Sequence, residues 1–344
     1  MIYLKTYISF MFFLGAIGCG QVTSTETGKS TDTSQQQVIK TATADTPQDT
    51  NKAYDRATYD RLAKYLSNGD SSGRWPVKAE YPKQGAIFPF YRVIAYYGNL
   101  FSKGMGILGE IPEDEMLKKL QGEVSKWQKA DTVLPVIPAL HYIATTAQQS
   151  PGKEGKYTLR MPFAQIDTVL RMAKRINGLV FIDIQIGLST LQREIPMLKE
   201  YLKKPNVHLG IDPEFSMKTG NRPGTRVGSY NAADINYATQ YLADLVKTYD
   251  LPPKILVIHR FTKKMVENYK DIQLRPEVQI VMDMDGWGYR EKKLSTYEWF
   301  INREPVQWAG FKIFYKNDTK TDSVEMQPKD VLKLVPTPIY IQYQ

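Results

Sequence analysis

Two short stretches carry the residue types best suited to chemistry. VHLGIDPEF (Val207 to Phe215) sets Asp212 and Glu214 two positions apart, and VQIVMDMDGWG (Val278 to Gly288) does the same with Asp283 and Asp285. In both, apolar and polar side chains alternate with the period of a strand, so the carboxylates of each pair point to one side. Carboxylates facing one another across a cleft can divide acid and base work. One, kept protonated by burial and by neighbouring negative charge, gives up a proton, while the other stays ionised and attacks or activates water. Cleavage of a glycosidic bond needs that division. The pattern assigns Glu214 as the acid, Asp285 or Asp283 as nucleophile or base, and Asp212 as the neighbour that raises the Glu214 pKa.

Sorting the other strand-like runs by parity, with the most aliphatic set turned toward helices, adds further inward side chains. LVFIDIQIG contributes Asp183 and Gln185, AGFKIFYKND contributes Lys312, and ILVIHRF contributes either His259 or Arg260 but not both. His141 can join them from VLPVIPALHY. Asp183, Gln185, His259, Arg260, Lys312, Trp287 and Tyr97 are the expected substrate contacts. Trp287 and Tyr97 stand with Tyr96, Tyr289 and Tyr315 at or beyond strand ends, where flat rings stack on sugar faces or pack loops. The run NRPGTRVGS, Asn221 to Ser229, reads as a lid carrying Arg222 and Arg226 or as a solvated loop. Lys312 and Arg260 offer a structural alternative for the whole cluster, in which they neutralise buried Asp212 and Asp283. No metal and no cofactor is expected: the three histidines lack zinc-motif spacing, and no calcium-loop signature occurs. A serine nucleophile is unsupported, since G-x-S-x-G is absent.

The elements that must position these groups alternate regularly. Strand patterns lie at Tyr91 to Asn99, Val133 to Tyr142, Leu179 to Gly187, Val207 to Phe215, Ile255 to Phe261, Val278 to Gly288, Ala309 to Asp318 and Pro338 to Gln344. Helical patterns separate them, at about Pro112 to Lys129, Phe163 to Ile176, Ser189 to Lys204, Asn231 to Tyr249, Thr296 to Asn302 and Pro328 to Leu334, with Ser189 read as an N-cap. Eight strands alternating with helices is the count of an α/β fold of the (β/α)8 barrel type. An open doubly wound sheet is the competing layout, although eight strand patterns fit the barrel count. No helix follows the last strand, so the helix over 51–68 is expected to take the vacant outer place. Connections after strands are long and those before them short, as in barrels that build a site at their carboxyl ends.

This layout resembles the barrel glycoside hydrolases, many of which carry an acidic residue at the end of the fourth strand. The resemblance spans about residues 90–344 and implies hydrolysis of a sugar polymer through Glu214 and Asp285. The segments IDPEF, PPKILVIHRFT and DMDGWG are also similar to stretches of bacterial lipoproteins.

The beginning of the chain agrees with that second likeness. MIYLKTYISFMFFLGAIGCGQ has one Lys5, an apolar run and small residues ending in Cys19, the layout of an export signal too short to span a bilayer. Ala16 to Cys19 resembles a lipobox, whose cysteine is acylated, and Cys19 is the single cysteine of the chain. Residues 20–50 are rich in Thr, Ser, Gln and Asp, a composition that does not fold but tethers, with a reach of about 30 Å. The expected organisation is a signal peptide over 1–18, a lipid-anchored tether over 19–50 and a barrel domain over 51–344. At 344 residues and 42% hydrophobic content the chain can bury a large core. Its net charge of +9 is scattered rather than grouped with aromatics, which argues against nucleic acid. The expectation is a monomeric envelope protein, held to the membrane by its lipid and facing polysaccharide or peptidoglycan, either as a hydrolase or as a non-catalytic glycan-binding barrel.

Overall fold

In the computed structural model, which describes residues 54–320, 322 and 324–344, eight parallel strands close on themselves. They are β1 (Arg92–Gly98), β2 (Val136–Ala147), β3 (Leu179–Ile184), β4 (Val207–Ile211), β5 (Lys254–Arg260), β6 (Val278–Met284), β7 (Trp308–Ile313) and β8 (Tyr340–Tyr343). Closure is made by β1, which pairs with β2 through Val93↔Ile137 and with β8 through Val93↔Tyr340. The fold is the (β/α)8 barrel. Strands buried on both faces must be apolar on both, which is why these runs are rich in Val, Ile and Leu. The outward set, including Ile94, Leu140, Ile182, Leu209, Ile258, Met282, Phe311 and Ile341, packs against the helices. The inward set at the amino end, including Val93, Ala95, Ile137, Leu179, Phe181, Val257 and Val281, forms a separate core inside the cylinder.

The helices that cover the barrel are α2 (Glu113–Ala130), α3 (Phe163–Arg175), α4 (Leu191–Met197), α5 (Ala232–Tyr249), α6 (Arg290–Tyr297) and α7 (Pro328–Val331), after an initial α1 (Arg56–Leu66). Local chemistry sets several ends. The first turn of α2 holds Glu113, Asp114 and Glu115 against its positive pole. Asn231 and Asp234 form a reciprocal capping box for α5. The N-cap of α4 is Thr190, whose hydroxyl accepts from the Arg193 N–H, whereas Ser189 donates to Glu194 instead. Pro196 also shortens α4, so a second short helix, Lys199–Leu202, completes that segment.

Two boundaries shift for tertiary reasons. β2 starts later than its apolar run and continues to Ala147, because Thr145 to Ala147 pair antiparallel with the short strand Thr158–Arg160. The helix expected over Thr296 to Asn302 lies earlier, over α6, and is followed by one wide turn at Glu298–Asn302.

α1 does not take the outer place beside β8. Its buried Leu62, Ala63 and Leu66 join the inner core with Ile87, Phe88 and Trp308. Leu66 C=O accepts the Thr337 N–H, and the Tyr65 hydroxyl donates to Asp131, both just before a barrel strand. The helix therefore closes the amino end of the cylinder, where the inward apolar side chains would otherwise meet water. The signal, the tether and Cys19 lie outside the described residues. Among the described residues no helix is long and apolar enough to cross a membrane.

Candidate active site

At the carboxyl end of β4 the chain leaves the strand through Asp212. Its carboxylate accepts the Glu214 N–H at 3.0 Å and so starts the tight turn Pro213–Phe215. Glu214 is thus carried by a turn locked to the strand end, and its carbonyl accepts the Gly228 N–H at 2.7 Å from the loop beyond. The Glu214 side chain is partly buried and has no ion pair among the described residues. Burial, reinforced by the charges of Asp212 and Asp285, pushes its pKa up to about 8. Asp212 accepts from Gln185 Nε2 at 3.3 Å, and burial lifts it to about 7.

The end of β6 is held differently. Asp285 Oδ1 lies 2.9 Å from Lys312 Nζ, which β7 points inward, and Asp285 Oδ2 lies 3.3 Å from His259 Nδ1. Burial alone would raise the Asp285 pKa, but the Lys312 and His259 charges overcome it and hold the carboxyl below its usual range. Asp283, one layer deeper, is raised by burial and sits 3.5 Å from His259 Nδ1. Room for its carboxylate comes from Gly310, where a Cβ would stand 2.6 Å from Asp283 Oδ1. The Lys312 ammonium also lies 3.8 Å from the centre of the Tyr97 ring.

Beneath these groups Asp183 joins β3 to both neighbours. Its Oδ2 accepts the Tyr97 hydroxyl at 2.9 Å, while Oδ1 stands 3.6 Å from His141 Nε2 and 3.7 Å from His259 Nε2. Burial would raise the Asp183 pKa, yet the His259 charge and its contact with His141 hold it well below the carboxylate range. Burial pushes His141 down to about 4, whereas at His259 the charges of Asp183 and Asp285 overcome the same penalty and raise it. His141, Asp183 and His259 are a donor set that can hold a metal ion. Sequence reasoning expected no metal because the three donors come from β2, β3 and β5. Zinc-motif spacing detects ligands on one local segment, and here the barrel's curvature brings distant segments together.

The structure thus brings Asp183, Gln185, Asp212, Glu214, His259, Asp283, Asp285, Lys312 and Tyr97 to one end of the cylinder. It does not bring Arg260 there. His259 takes the inward parity of β5, so Arg260 points outward, donating to the carbonyls of Thr262, Lys263 and Phe300 and pairing with Glu304. It is held away from the mouth and does not pair with Asp283, and Lys312 is paired with Asp285 rather than with Asp212 or Asp283. Tyr96 and Tyr315 are likewise outside the cylinder, their hydroxyls 2.9 Å apart and their rings packed on Tyr343. Trp287 and Tyr289 follow β6 and stay 43% and 47% exposed, with the Lys292 ammonium 4.9 Å from the centre of the Trp287 ring. Arg222 and Arg226 are exposed on the Asn221 to Ser229 loop. A hollow of about 200 Å³ lies to the side, between β2, α3 and α4, and includes none of the carboxylates of the mouth.

No family model and no curated protein matches the chain. Among solved structures, it is similar to the crystal structure of a hyperthermophilic endo-β-1,4-glucanase in complex with substrate. The two share 10% identity and a TM-score of 0.39 over 74% of this chain and 89% of that one.

Proposed function

We propose that this barrel is a glycoside hydrolase acting on a carbohydrate or cell-wall polymer, with Glu214 as general acid and Asp285 as nucleophile or base. The observation that carries the reading is the opposed environment of two carboxyls at one rim. Glu214 is poorly solvated, beside other carboxylates and without an ion pair among the described residues, and its pKa of about 8 favours the protonated form at neutral pH. Asp285 is ion-paired to Lys312 and stays charged. Two titratable groups whose surroundings drive their pKa values apart are what acid and base roles demand. Asp212 supports the acid by its charge and by anchoring the turn that carries it.

The exposed rings of Trp287 and Tyr289 favour a second reading, a barrel that binds glycans without cleaving them. A screen of the wild-type chain on polysaccharides and peptidoglycan, beside Glu214→Gln, separates the two. Hydrolysis by wild type that is lost in the variant supports the enzyme, and turnover that survives the change removes Glu214 as the acid. Retention on a glycan without turnover in either protein supports the binder. For location we propose the lipid-anchored envelope form that the residues around Cys19 imply. Labelled palmitate is expected to enter the wild-type protein in bacterial cells and not Cys19→Ser; equal labelling of both overturns the anchor.

A further inference from the structure

We infer that the barrel holds a divalent metal ion, of the zinc class, between His141 Nε2, His259 Nε2 and Asp183 Oδ1. This goes beyond the hydrolase reading and does not rest on it. The three residues are fully buried, and none of these three atoms has a hydrogen-bond partner among the described residues. Asp183 Oδ1 stands 3.6 and 3.7 Å from the two Nε2 atoms, too far for hydrogen bonds, so a simple histidine–carboxylate pairing leaves all three unsatisfied. All three lie within 4.8 Å of one another. Donors about 2.1 Å from one ion and spread around it are about 3.5 Å apart, close to the two distances from Asp183 Oδ1.

The opposite atoms of Asp183 and His141 are already hydrogen-bonded, and that of His259 stands beside two carboxylates, as outer-shell partners of metal ligands do. Asp183 Oδ2 accepts from the Tyr97 hydroxyl. His259 Nδ1 lies 3.3 Å from Asp285 Oδ2 and 3.5 Å from Asp283 Oδ2, so its N–H is turned toward two carboxylates and an ion would take the place of the proton at Nε2. His141 Nδ1 lies 2.6 Å from the Tyr340 hydroxyl, with the Gln342 amide 3.0 Å from both. A half-turn of that amide lets His141 Nδ1–H donate to Tyr340 and Tyr340 donate to Gln342 Oε1, which is otherwise unpartnered. His141 Nε2 then also presents a lone pair.

Space for an ion is kept by Gly210 on β4. A Cβ there would stand 2.4 Å from His141 Nε2 and 2.5 Å from Asp183 Oδ1, although the backbone is ordinary strand that needs no glycine. Two imidazoles and one carboxylate suit zinc and its first-row neighbours better than calcium or magnesium, which prefer all-oxygen shells. Three protein ligands also leave a position open, as in catalytic rather than structural zinc sites.

The test uses the untagged full chain, stripped with a chelator and titrated with Zn²⁺ against a chromophoric competitor. One ion per chain is expected, with binding weakened about 100-fold or more in Asp183→Asn and His259→Gln. Gly210→Ala, which keeps every donor, is expected to weaken it as well. The Cu²⁺-loaded wild type provides a readout that needs no variant: pulsed electron paramagnetic resonance should show two coupled imidazoles. Absence of stoichiometric uptake, uptake unchanged in folded Asp183→Asn and His259→Gln, or fewer than two imidazoles overturns the site. None of these readouts depends on glycoside turnover, so failure here and failure of the hydrolase reading are told apart.

Discussion

The lower and upper halves of the barrel interior are made by the same strands and do opposite things. Below, Val93, Ala95, Ile137, Ala139, Leu179, Phe181, Ile255, Val257 and Val281 interlock under a lid of Phe88 and α1. Above, two residues further along the same strands, Tyr97, His141, Asp183, His259 and Asp283 replace them, joined by Lys312 of β7, equally buried but polar and charged. Apolar packing gains free energy from being dry, whereas buried charges cost free energy unless each is paired. The lower half thus holds the cylinder closed so that the upper half can keep charged groups where water would otherwise neutralise their differences. Apolar packing and buried charge are separated by one layer of side chains.

That contrast is sharpest where it can be broken one half at a time. Phe181→Ala, in the plug, is expected to cost about 3–5 kcal/mol in denaturant unfolding. A loss under about 1 kcal/mol would mean that the plug is not what holds the barrel. Glu214→Gln, in the upper half, is expected to lower turnover about 10²–10⁴-fold while leaving the unfolding midpoint unchanged or higher. A destabilised variant would instead place Glu214 among the structural groups.

A smaller effect follows from protons. Glu214 and Asp212 bind theirs more tightly in the folded state, with pKa values raised to about 8 and about 7. From the ordinary carboxylate range up to pH about 8 their contribution to stability therefore falls as pH rises. Glu214→Gln should remove part of that slope, gaining on the order of 1–2 kcal/mol over wild type at pH 9 and little at pH 5, after allowance for partial exposure and coupling. Parallel stability–pH curves for the two proteins would show that Glu214 is solvated and unperturbed. The smallest effect is expected at the exposed margin, where Trp287→Ala should weaken retention on a bound glycan by about 1 kcal/mol or less without altering stability.

The sequence by itself determined the alternation of strand and helix, hence the barrel, because hydrophobic periods of 2 and 3.6 are local properties of the chain. It also determined which faces of β3, β4, β6 and β7 turn inward, since the aliphatic set on each is unambiguous. On β5 it did not, because His259 and Arg260 are adjacent and either parity left an apolar set outside. Only the Glu304 carboxylate and a ring of carbonyls, gathered from elsewhere in the chain, drew Arg260 outward. Tertiary structure likewise put α1 under the barrel rather than beside it, since that end exposed apolar surface and no local pattern records where a helix docks. Residue type named the carboxylates, but their surroundings were set by tertiary contacts: Lys312 pairs with Asp285, whereas Glu214 has no ion pair among the described residues. The junction of His141, Asp183 and His259 was invisible along the chain for the same reason: closure of a cylinder joins residues whose separation in sequence carries no sign of their meeting.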